Sequence, residues 1–538
     1  MANSIQLIIP MSGIGKRFMD AGYTDPKPLI NVDGFPMIRH VMALFPGTTD
    51  VHFICNEVHL QMSDMREALV RVCPTAVIHS VPTEGRMGPV HAVMQIADSI
   101  EDGRETIVSY CDYGSSWDYL AFLTSVRSRD ADGAIVCYTG FHPHMLGSDN
   151  YAFVKMNGDR AEAVQEKKPF TDIRMNELAS NGTYYFKNAR LLKKYFNQTL
   201  SEGPIVNNEY YCSVVYNHLI KDGLLVSTYI IDQMLQWGTP YDLEIYKGWS
   251  NYFLNIIHKQ PEVGLDLETV TILPMAGHGS RFSDKGYREP KPFLLVNDSP
   301  MFIQAVKCLP PTRENVFICL QAHLDQYNLE NDLKKHLKQY KVVSIDETTQ
   351  GQACTCEAGI DAAFIDPDRP IMISACDNGV YYDTAKYAAL KSDPDIDVIV
   401  WSFRNNQTSK LNPNMYSWLD VDDDQNILAV HCKQFVFDDP LNTHAIIGTM
   451  YFRKARYFMD GLMLNYQKNL RTNGEFYVDD VINRNIEQGF RVKVFEVENY
   501  ICWGTPDDYE TYQYWRRFFD GCSWHPYSIM LDSTRQVC

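Results

Sequence analysis

The chain has 538 residues, 45% of them hydrophobic and 22% charged, with a formal net charge of -18. That length exceeds a single typical core and predicts two or more domains, and 32 tyrosines with 26 phenylalanines exclude disorder over most of it. The acidic balance gives no general pull toward nucleic acid or anionic membrane, so any phosphate chemistry must rest on a few local cations.

In chain order, "MANSIQLIIP" reads as a first strand rather than a signal peptide, and no apolar run reaches the length of a membrane span. "VHFIC", "TIVSYCD" and "DGAIVCYT" read as further buried strands. "PMIRHVMALF" and "VHAVMQIADSI" carry helical spacing between them. In the second half "TVTILP", "NVFICL", "PIMISACD" and "DVIVWSF" repeat the strand pattern. Strands alternating with helices predict α/β domains with a mainly parallel mixed sheet, whose ligands bind at the carboxyl ends of strands. Fourteen cysteines are scattered without CxxC clusters, which predicts reduced thiols and a cytoplasmic protein. Cys354 and Cys356 read as small buried residues rather than a metal or redox pair.

The chain repeats itself. Pro10, Met11, Gly13, Gly15, Arg17, Phe18, Asp20, Gly22, Tyr23, Pro26, Lys27 and Pro28 each recur 264 residues later, where average usage gives roughly one match by chance. The register continues through "SYCDYG" and "SACDNG", "NGTYYFKN" and "IGTMYFRK", "NEYY" and "GEFY", and "WGTPYDLEIY" and "WGTPDDYETY". Two copies of one domain are expected, at residues 1–258 and 268–520. The boundary lies near Asn255–Val270, where Pro261 and Gly264 interrupt, and a tail at 521–538 has no counterpart in the first copy.

Each copy opens on a glycine loop after its first strand, "GIGKRF" and "GHGSRF". Glycines let backbone N–H groups approach an anion such as a triphosphate. The third glycine of a dinucleotide fingerprint is absent, as is the Walker pattern. A tight strand-to-helix turn explains the glycines but not the recurring Arg17 and Arg281. Next comes Pro-Lys-Pro. Prolines on both sides fix the backbone and forbid a helix through the lysine, so Lys27 and Lys291 are held charges.

G-x-G-x-R-F followed by P-K-P, after a first strand, resembles the sugar-phosphate nucleotidylyltransferases, and the likeness runs through nearly all of both copies. G-Y-x-x-P-K-P and the closing "WGTP" are similar to the branch in bacterial capsular polysaccharide clusters. The resemblance implies two tandem nucleotidyltransferase domains of GT-A/Rossmann-like α/β fold. It implies an NTP and a phosphorylated acceptor as substrates, Mg²⁺ as cofactor, no nucleic-acid or membrane partner, and a soluble assembly open to homo-oligomer formation. By the same resemblance Gly13, Gly15, Gly88, Gly277, Gly279 and Gln352 bind nucleotide. Arg17 and Arg281 hold the leaving pyrophosphate, and Lys27 and Lys291 the α-phosphate. Lys167 and Lys433 meet the acceptor phosphate. Glu166, Gly182, Glu209, Gly448 and Glu475 form the acceptor site.

Asp112 and Asp377, read as ending their strands, suit Mg²⁺, which takes one or two carboxylates plus phosphate oxygens; a helix cap is the plainer reading. Where many relatives carry a second metal-binding Asp, Gln236 and Cys502 stand, so one carboxylate serves or Glu209 and Glu475 help. Cys432 replaces Glu166 in the second copy, which predicts a different acceptor there. The loops "TEGRMGPVHA" and "TTQGQACTCEA" predict different base preferences. His142 and His144 sit on a loop read as acceptor-pocket wall or ordinary surface. "DVDDDQN" reads as a hairpin turn rather than a calcium loop. The alternatives are a GT-A glycosyltransferase, disfavoured by single aspartates in "CDYG" and "CDNG", and a catalytic copy beside a regulatory one.

Overall fold

A computed structural model describes residues 5–203, 205–258 and 264–535. Residues 1–4 of the opening segment, 259–263 of the expected boundary and 536–538 of the tail lie outside the described residues. The chain divides into two compact units, Met1–Lys247 and Gly248–Cys538, with the division inside the helix Pro240–Ile256.

Each unit is α/β, built on a mixed sheet flanked by helices. In the first unit the strand order is Arg160–Glu166, Ala152–Asn157, Leu178–Phe186, Thr106–Ser109, Gln6–Met11, Asp50–Asn56, Val77–Val81. Gly133–Tyr138 also pairs with Leu178–Phe186 and carries Val226–Ile230 on its far side. The opening strand is parallel to both its neighbours, while Leu178–Phe186 runs antiparallel to all of its own. The sheet is therefore parallel on one side and mixed on the other. In Gln6–Met11, Leu7 and Ile9 enter one core and Ile8 the other. Such a strand needs an unbroken apolar run, which is what "QLIIPM" supplies.

The second unit repeats this order as Ile427–His431, Trp418–Val421, His444–Phe452, Ile371–Ile373, Asp266–Pro274, Thr312–Leu320, Tyr340–Ile345. Val398–Phe403 stands beside His444–Phe452, with Val492–Glu496 beyond it.

Three local readings change. The helix expected over "VHAVMQIADSI" stops at Met94, because Ile96 leaves the helical backbone, and a short 3₁₀ turn Ala97–Ser99 follows. The strand expected to end at Asp112 ends at Ser109, and that expected to end at Asp377 ends at Ile373. Beyond Ser109 the Tyr110 N–H bonds to Gly182 O at 3.0 Å and the ladder is left behind. Both aspartates sit in the loop after the strand, on carbonyls that accept from Trp237 N–H (3.1 Å) and Trp503 N–H (2.8 Å). That bond is the structural use of the repeated "WGTP": it pins the loop carrying the aspartate. The indole of each tryptophan then packs on a neighbouring glycine, Gly114 or Gly379.

Tail residues 521–535 pack within the second unit. Asp532, 2% exposed, accepts from Tyr527 and Asn297, and Tyr527 lies 4.6 Å from Phe253 between ring centres. Among the described residues no helix is long and apolar enough to cross a membrane.

Candidate active site

The first unit holds a cavity of about 840 Å³ at the carboxyl ends of its central strands. Gly13, Gly15, Arg17, Lys27, Gly88, Asp112, Glu166, Lys167, Gly182 and Glu209 all line it, whereas His142 and His144 do not.

The opening loop turns at Gly15, whose backbone is left-handed at φ 70°, and the equivalent Gly279 adopts φ 63°. L-residues other than glycine avoid that region, so the glycine is demanded by the turn. The turn starts the short helices Lys16–Asp20 and Ser280–Asp284, which carry Arg17 and Arg281. Both arginines are exposed, and neither has an ion-pair partner among the described residues, so their charge is available to an anion. Tyr23 and Tyr287 tie the far end of each loop to the closing helix through Glu244 and Glu510.

Pro26 and Pro290 precede a 3₁₀ turn, and from it the lysine reaches inward. Lys27 Nζ donates to Asp112 Oδ2 at 2.5 Å and to Gly238 O at 3.1 Å, and Lys291 Nζ donates to Asp377 Oδ2 at 2.6 Å. Burial opposes charge on both members of the second pair. Mutual attraction outweighs it, holding Asp377 below the usual carboxylate range and Lys291 above the usual amine range.

The metal question turns on donor chemistry. A Cβ built on Gly238 would meet Asp112 Oδ2 at 3.0 Å and Gln236 Oε1 at 3.2 Å, so two oxygens converge on one small space. That set fits a hard cation completed by phosphate oxygens and water. At Gly504 the same test finds Asp377 Oδ2 at 3.2 Å and Cys502 Sγ at 3.3 Å. Burial, with Asp508 and Asp377 nearby, pushes that thiol well above its ordinary range, so it stays protonated and is a poor ligand for such an ion. The first unit thus offers an oxygen pair and the second a single carboxylate. Among the described residues no group of three or more His, Cys, Asp or Glu is arranged to hold a metal by itself.

Gly88 and Gly351 stand in the loops "TEGRMGPVHA" and "TTQGQACTCEA". A Cβ at Gly88 would lie 2.8 Å from Tyr210 N, and one at Gly351 2.5 Å from Phe476 N, both with positive φ. The glycines allow two backbone segments to cross at contact distance. Tyr210 N–H donates to Met87 O at 2.8 Å and Phe476 N–H to Gln350 O at 3.0 Å. These bonds align Gly88 with Gly351, and hence Pro89 with Gln352, so the amide of Gln352 has no counterpart in the first unit. Glu209 and Glu475, on the crossing segments, are exposed.

Lys167 and Lys433 both have left-handed backbone, at φ 57° and 53°. Left-handed backbone is uncommon for a residue other than glycine, and here it recurs at equivalent positions of the two units. Lys167 Nζ donates to Tyr211 OH at 2.7 Å, and Lys433 Nζ to Met415 O at 2.6 Å. Glu166 accepts from Ser213 Oγ at 2.5 Å, and burial raises its pKa to about 7 against the pull of Ser213 and Lys167. Gly182 and Gly448 sit at φ 95° and 84° on the long antiparallel strands, and Gly182 falls where the register with Gly133–Tyr138 shifts. Such a bulge re-aims side chains. Next to it, Asn181 is 3% exposed, lines the cavity, and has its Nδ2 buried without a partner.

Sequence reasoning missed Asn181, Tyr211 and Ser213. It also missed Arg86, which donates to Thr83 O at 2.6 Å and Ser12 O at 3.1 Å, joining the loop before Gly88 to the glycine loop. Asn181 becomes Ile447 in the second unit, immediately before a Gly-Thr that both units share. His142 and His144 do not form a surface loop: His142 is 1% exposed, and burial drives His144 well below its ordinary range beside Tyr138 and Tyr151. "DVDDDQN" is a turn between Trp418–Val421 and Ile427–His431, closed by Asn426 on Asp422. Cys354 lies 3.2 Å from Tyr466 OH, and Cys356 is buried.

No known protein-family model matches the chain. The Bifunctional protein GlmU of Brucella anthropi is 28% identical over 150 residues, covering 27% of this chain and 31% of that protein. The chain spans about a third of the length of the curated relatives it matches. Among solved structures, the nucleoside-diphosphate-sugar pyrophosphorylase of Vibrio cholerae RC9 is 24% identical and covers 45% of this chain and 99% of its own, at a TM-score of 0.37. The inositol-1-phosphate CTP transferase of T. maritima is 16% identical and covers 48% and 99%, at a TM-score of 0.36.

Proposed function

We propose that the chain is a tandem nucleotidylyltransferase, with each unit coupling an NTP to a phosphorylated acceptor. An oxygen of the acceptor phosphate attacks the α-phosphorus, the bond from that phosphorus to the bridging oxygen breaks, and pyrophosphate leaves with the electron pair. Little covalent work falls to the protein, so rate comes from positioning and charge neutralisation. The observation that carries the reading is the lysine clamped between prolines and set on a loop aspartate beside a glycine loop bearing an unpaired arginine. It is present in both units.

In this reading the loop at Gly13 and Gly15 wraps the triphosphate and Arg17 faces the pyrophosphate. Lys27 turns from Asp112 to the α-phosphate, and Lys167 orients the attacking phosphate. Gly277, Gly279, Arg281, Lys291 and Lys433 act likewise in the second unit. Mg²⁺ bound by Asp112 or Asp377 would neutralise phosphate charge. An acceptor hydroxyl donates to Glu166, and Asn181 supplies a donor to the same ligand. A nucleotide-activated sugar or polyol for surface or capsular polysaccharide is the expected product, made in the cytoplasm. A second reading, in which the second unit works on a different acceptor, is favoured by Cys432 in place of Glu166.

The test is pyrophosphate release with each of CTP, dTTP, UTP, GTP and ATP, against glucose 1-phosphate, inositol 1-phosphate and glycerol 3-phosphate, with Mg²⁺. Release that needs one NTP and one acceptor together supports the reading. Cleavage of a nucleotide sugar without pyrophosphate release would favour the glycosyltransferase instead.

A further inference from the structure

Glu166 has no carboxylate at its equivalent in the second unit, where Cys432 stands. The structure shows where a carboxylate has gone. Ser213 opens the helix Cys212–Lys221 in the first unit, and its counterpart on the helix Val478–Glu487 is Asp479. In the first unit a helix hydroxyl, Ser213, donates to a strand carboxylate, Glu166. In the second unit the hydroxyl of Ser417, just ahead of the strand Trp418–Val421, donates to a helix carboxylate, Asp479. The pair has exchanged sides.

Asp479 lies close to Cys432. Ser417 Oγ, its hydrogen-bond donor, lies 3.6 Å from Cys432 Sγ and accepts from Lys433 N–H at 3.3 Å. Asp479 is thus one hydroxyl away from both the position of the missing glutamate and the strained lysine. It is 8% exposed, Oδ2 is engaged by Ser417, and Oδ1 has no partner among the described residues. That oxygen is left free to accept a hydrogen bond from water or a ligand. Ser417 stands where Ala152 lines the first cavity, since Trp418 pairs with Ala445 as Phe153 pairs with Ala179. Tyr416, one residue earlier, provides the ring beside Cys502 and Asp508, as Tyr151 does beside Gln236 and Asp242. The tyrosine is thus kept, and it is the change from Ala152 to Ser417 that accompanies the acid on the helix.

We infer that Asp479 is the acceptor-reading carboxylate of the second unit, accepting a hydrogen bond from a hydroxyl of a polyhydroxylated phosphate approached from the helix side rather than the strand side. This rests on the reading of the second unit as a transferase. Its acceptor then differs from the first unit's in where that hydroxyl sits relative to the phosphate held by Lys433.

The experiment uses the full chain carrying Lys27→Ala, which leaves only the second unit to turn over. Pyrophosphate release is measured over the NTP and acceptor panel named above. Asp479→Asn in that background is expected to raise the acceptor KM at least tenfold, with the NTP KM within twofold and the thermal midpoint unchanged. The double change Cys432→Glu with Asp479→Ser returns the carboxylate to the strand, and it should shift preference toward the first unit's acceptor. Unchanged acceptor KM in Asp479→Asn, or equal rises in both KM values, overturns the assignment while leaving the transferase reading intact. No release by Lys27→Ala with any pair, while Lys291→Ala retains the wild-type reaction, removes the transferase reading of this unit and the assignment with it.

Discussion

The two units hold a lysine on an aspartate with the same backbone and differ in what surrounds that pair. In the first, Gln236 and Asp112 turn oxygens to one small space, Glu166 provides a strand carboxylate, and Asn181 an unpaired amide. In the second, the same three positions are Cys502, Cys432 and Ile447. The fixed part is what any phosphate transfer needs: a glycine loop, two cations and an acid. The variable part touches what distinguishes one substrate from another. Sequence drift around a constant charge arrangement is the expected outcome when electrostatics sets the rate and hydrogen bonding sets the choice.

The largest expected effect tests whether both units work. Lys27→Ala and Lys291→Ala should each lower one activity by about 10²- to 10³-fold, the usual loss for a group that stabilises transition-state charge. Steady-state pyrophosphate release with each unit's own substrates measures it, and a variant that leaves every activity intact would break the symmetry. Next is the metal-side difference. Gln236→Cys should raise the Mg²⁺ concentration for half-maximal rate in the first unit by about tenfold, and Cys502→Gln should lower it in the second. A Mg²⁺ titration of each single-unit background reads this out.

A smaller effect is the pH response. Burial moves Glu166 from its ordinary 4.5 to about 7. The folded chain therefore holds an extra proton between those values. This group's contribution to stability is full below that window and is lost as pH rises through it. A donor hydroxyl on the acceptor needs the ionised form, so the first unit's acceptor KM should fall about tenfold from pH 6 to pH 8, as the charged fraction rises. Glu166→Gln should flatten that profile, and the second unit, with a thiol at this position, should lack it. A profile that survives Glu166→Gln would assign the titration elsewhere.

The smallest effect on chemistry comes from the shared packing. A Cβ at Gly114 would lie 2.8 Å from the Trp237 ring, and one at Gly379 2.8 Å from the Trp503 ring. Each Gly→Ala should cost about 1–3 kcal/mol of its own unit's stability by overpacking. Thermal denaturation should show similar losses in both, because this contact does not differ between them.

The repeated motif made much of the site legible before any coordinates. Gly13, Gly15, Arg17 and Lys27 lie within one stretch of chain, and the local demands of a left-handed turn and a proline-fixed lysine are written in residue type. The alternation of apolar runs and helical spacing likewise gave the α/β class. Asn181 and Ser213 were not legible, because neither follows a local pattern. Asn181 reaches the cavity only through the bulge at Gly182, and Ser213 matters only because its helix lies against the strand ending in Glu166. Asp112 was placed at a strand end because "TIVSYCD" is apolar to its last residue. The ladder in fact stops three residues sooner, where Tyr110 turns to Gly182.

By itself the sequence determined the strands, the glycine turns and the identity of the charges, since each follows from neighbours a few residues away. Only the tertiary structure decided that Lys27 meets Asp112, 85 residues on, and that the Trp237 N–H fixes the aspartate's loop. It also decided that Ser417 donates to Asp479, 62 residues on. Those contacts join segments far apart in the chain, and they form because sheet order and helix packing bring the segments together, which no local pattern encodes.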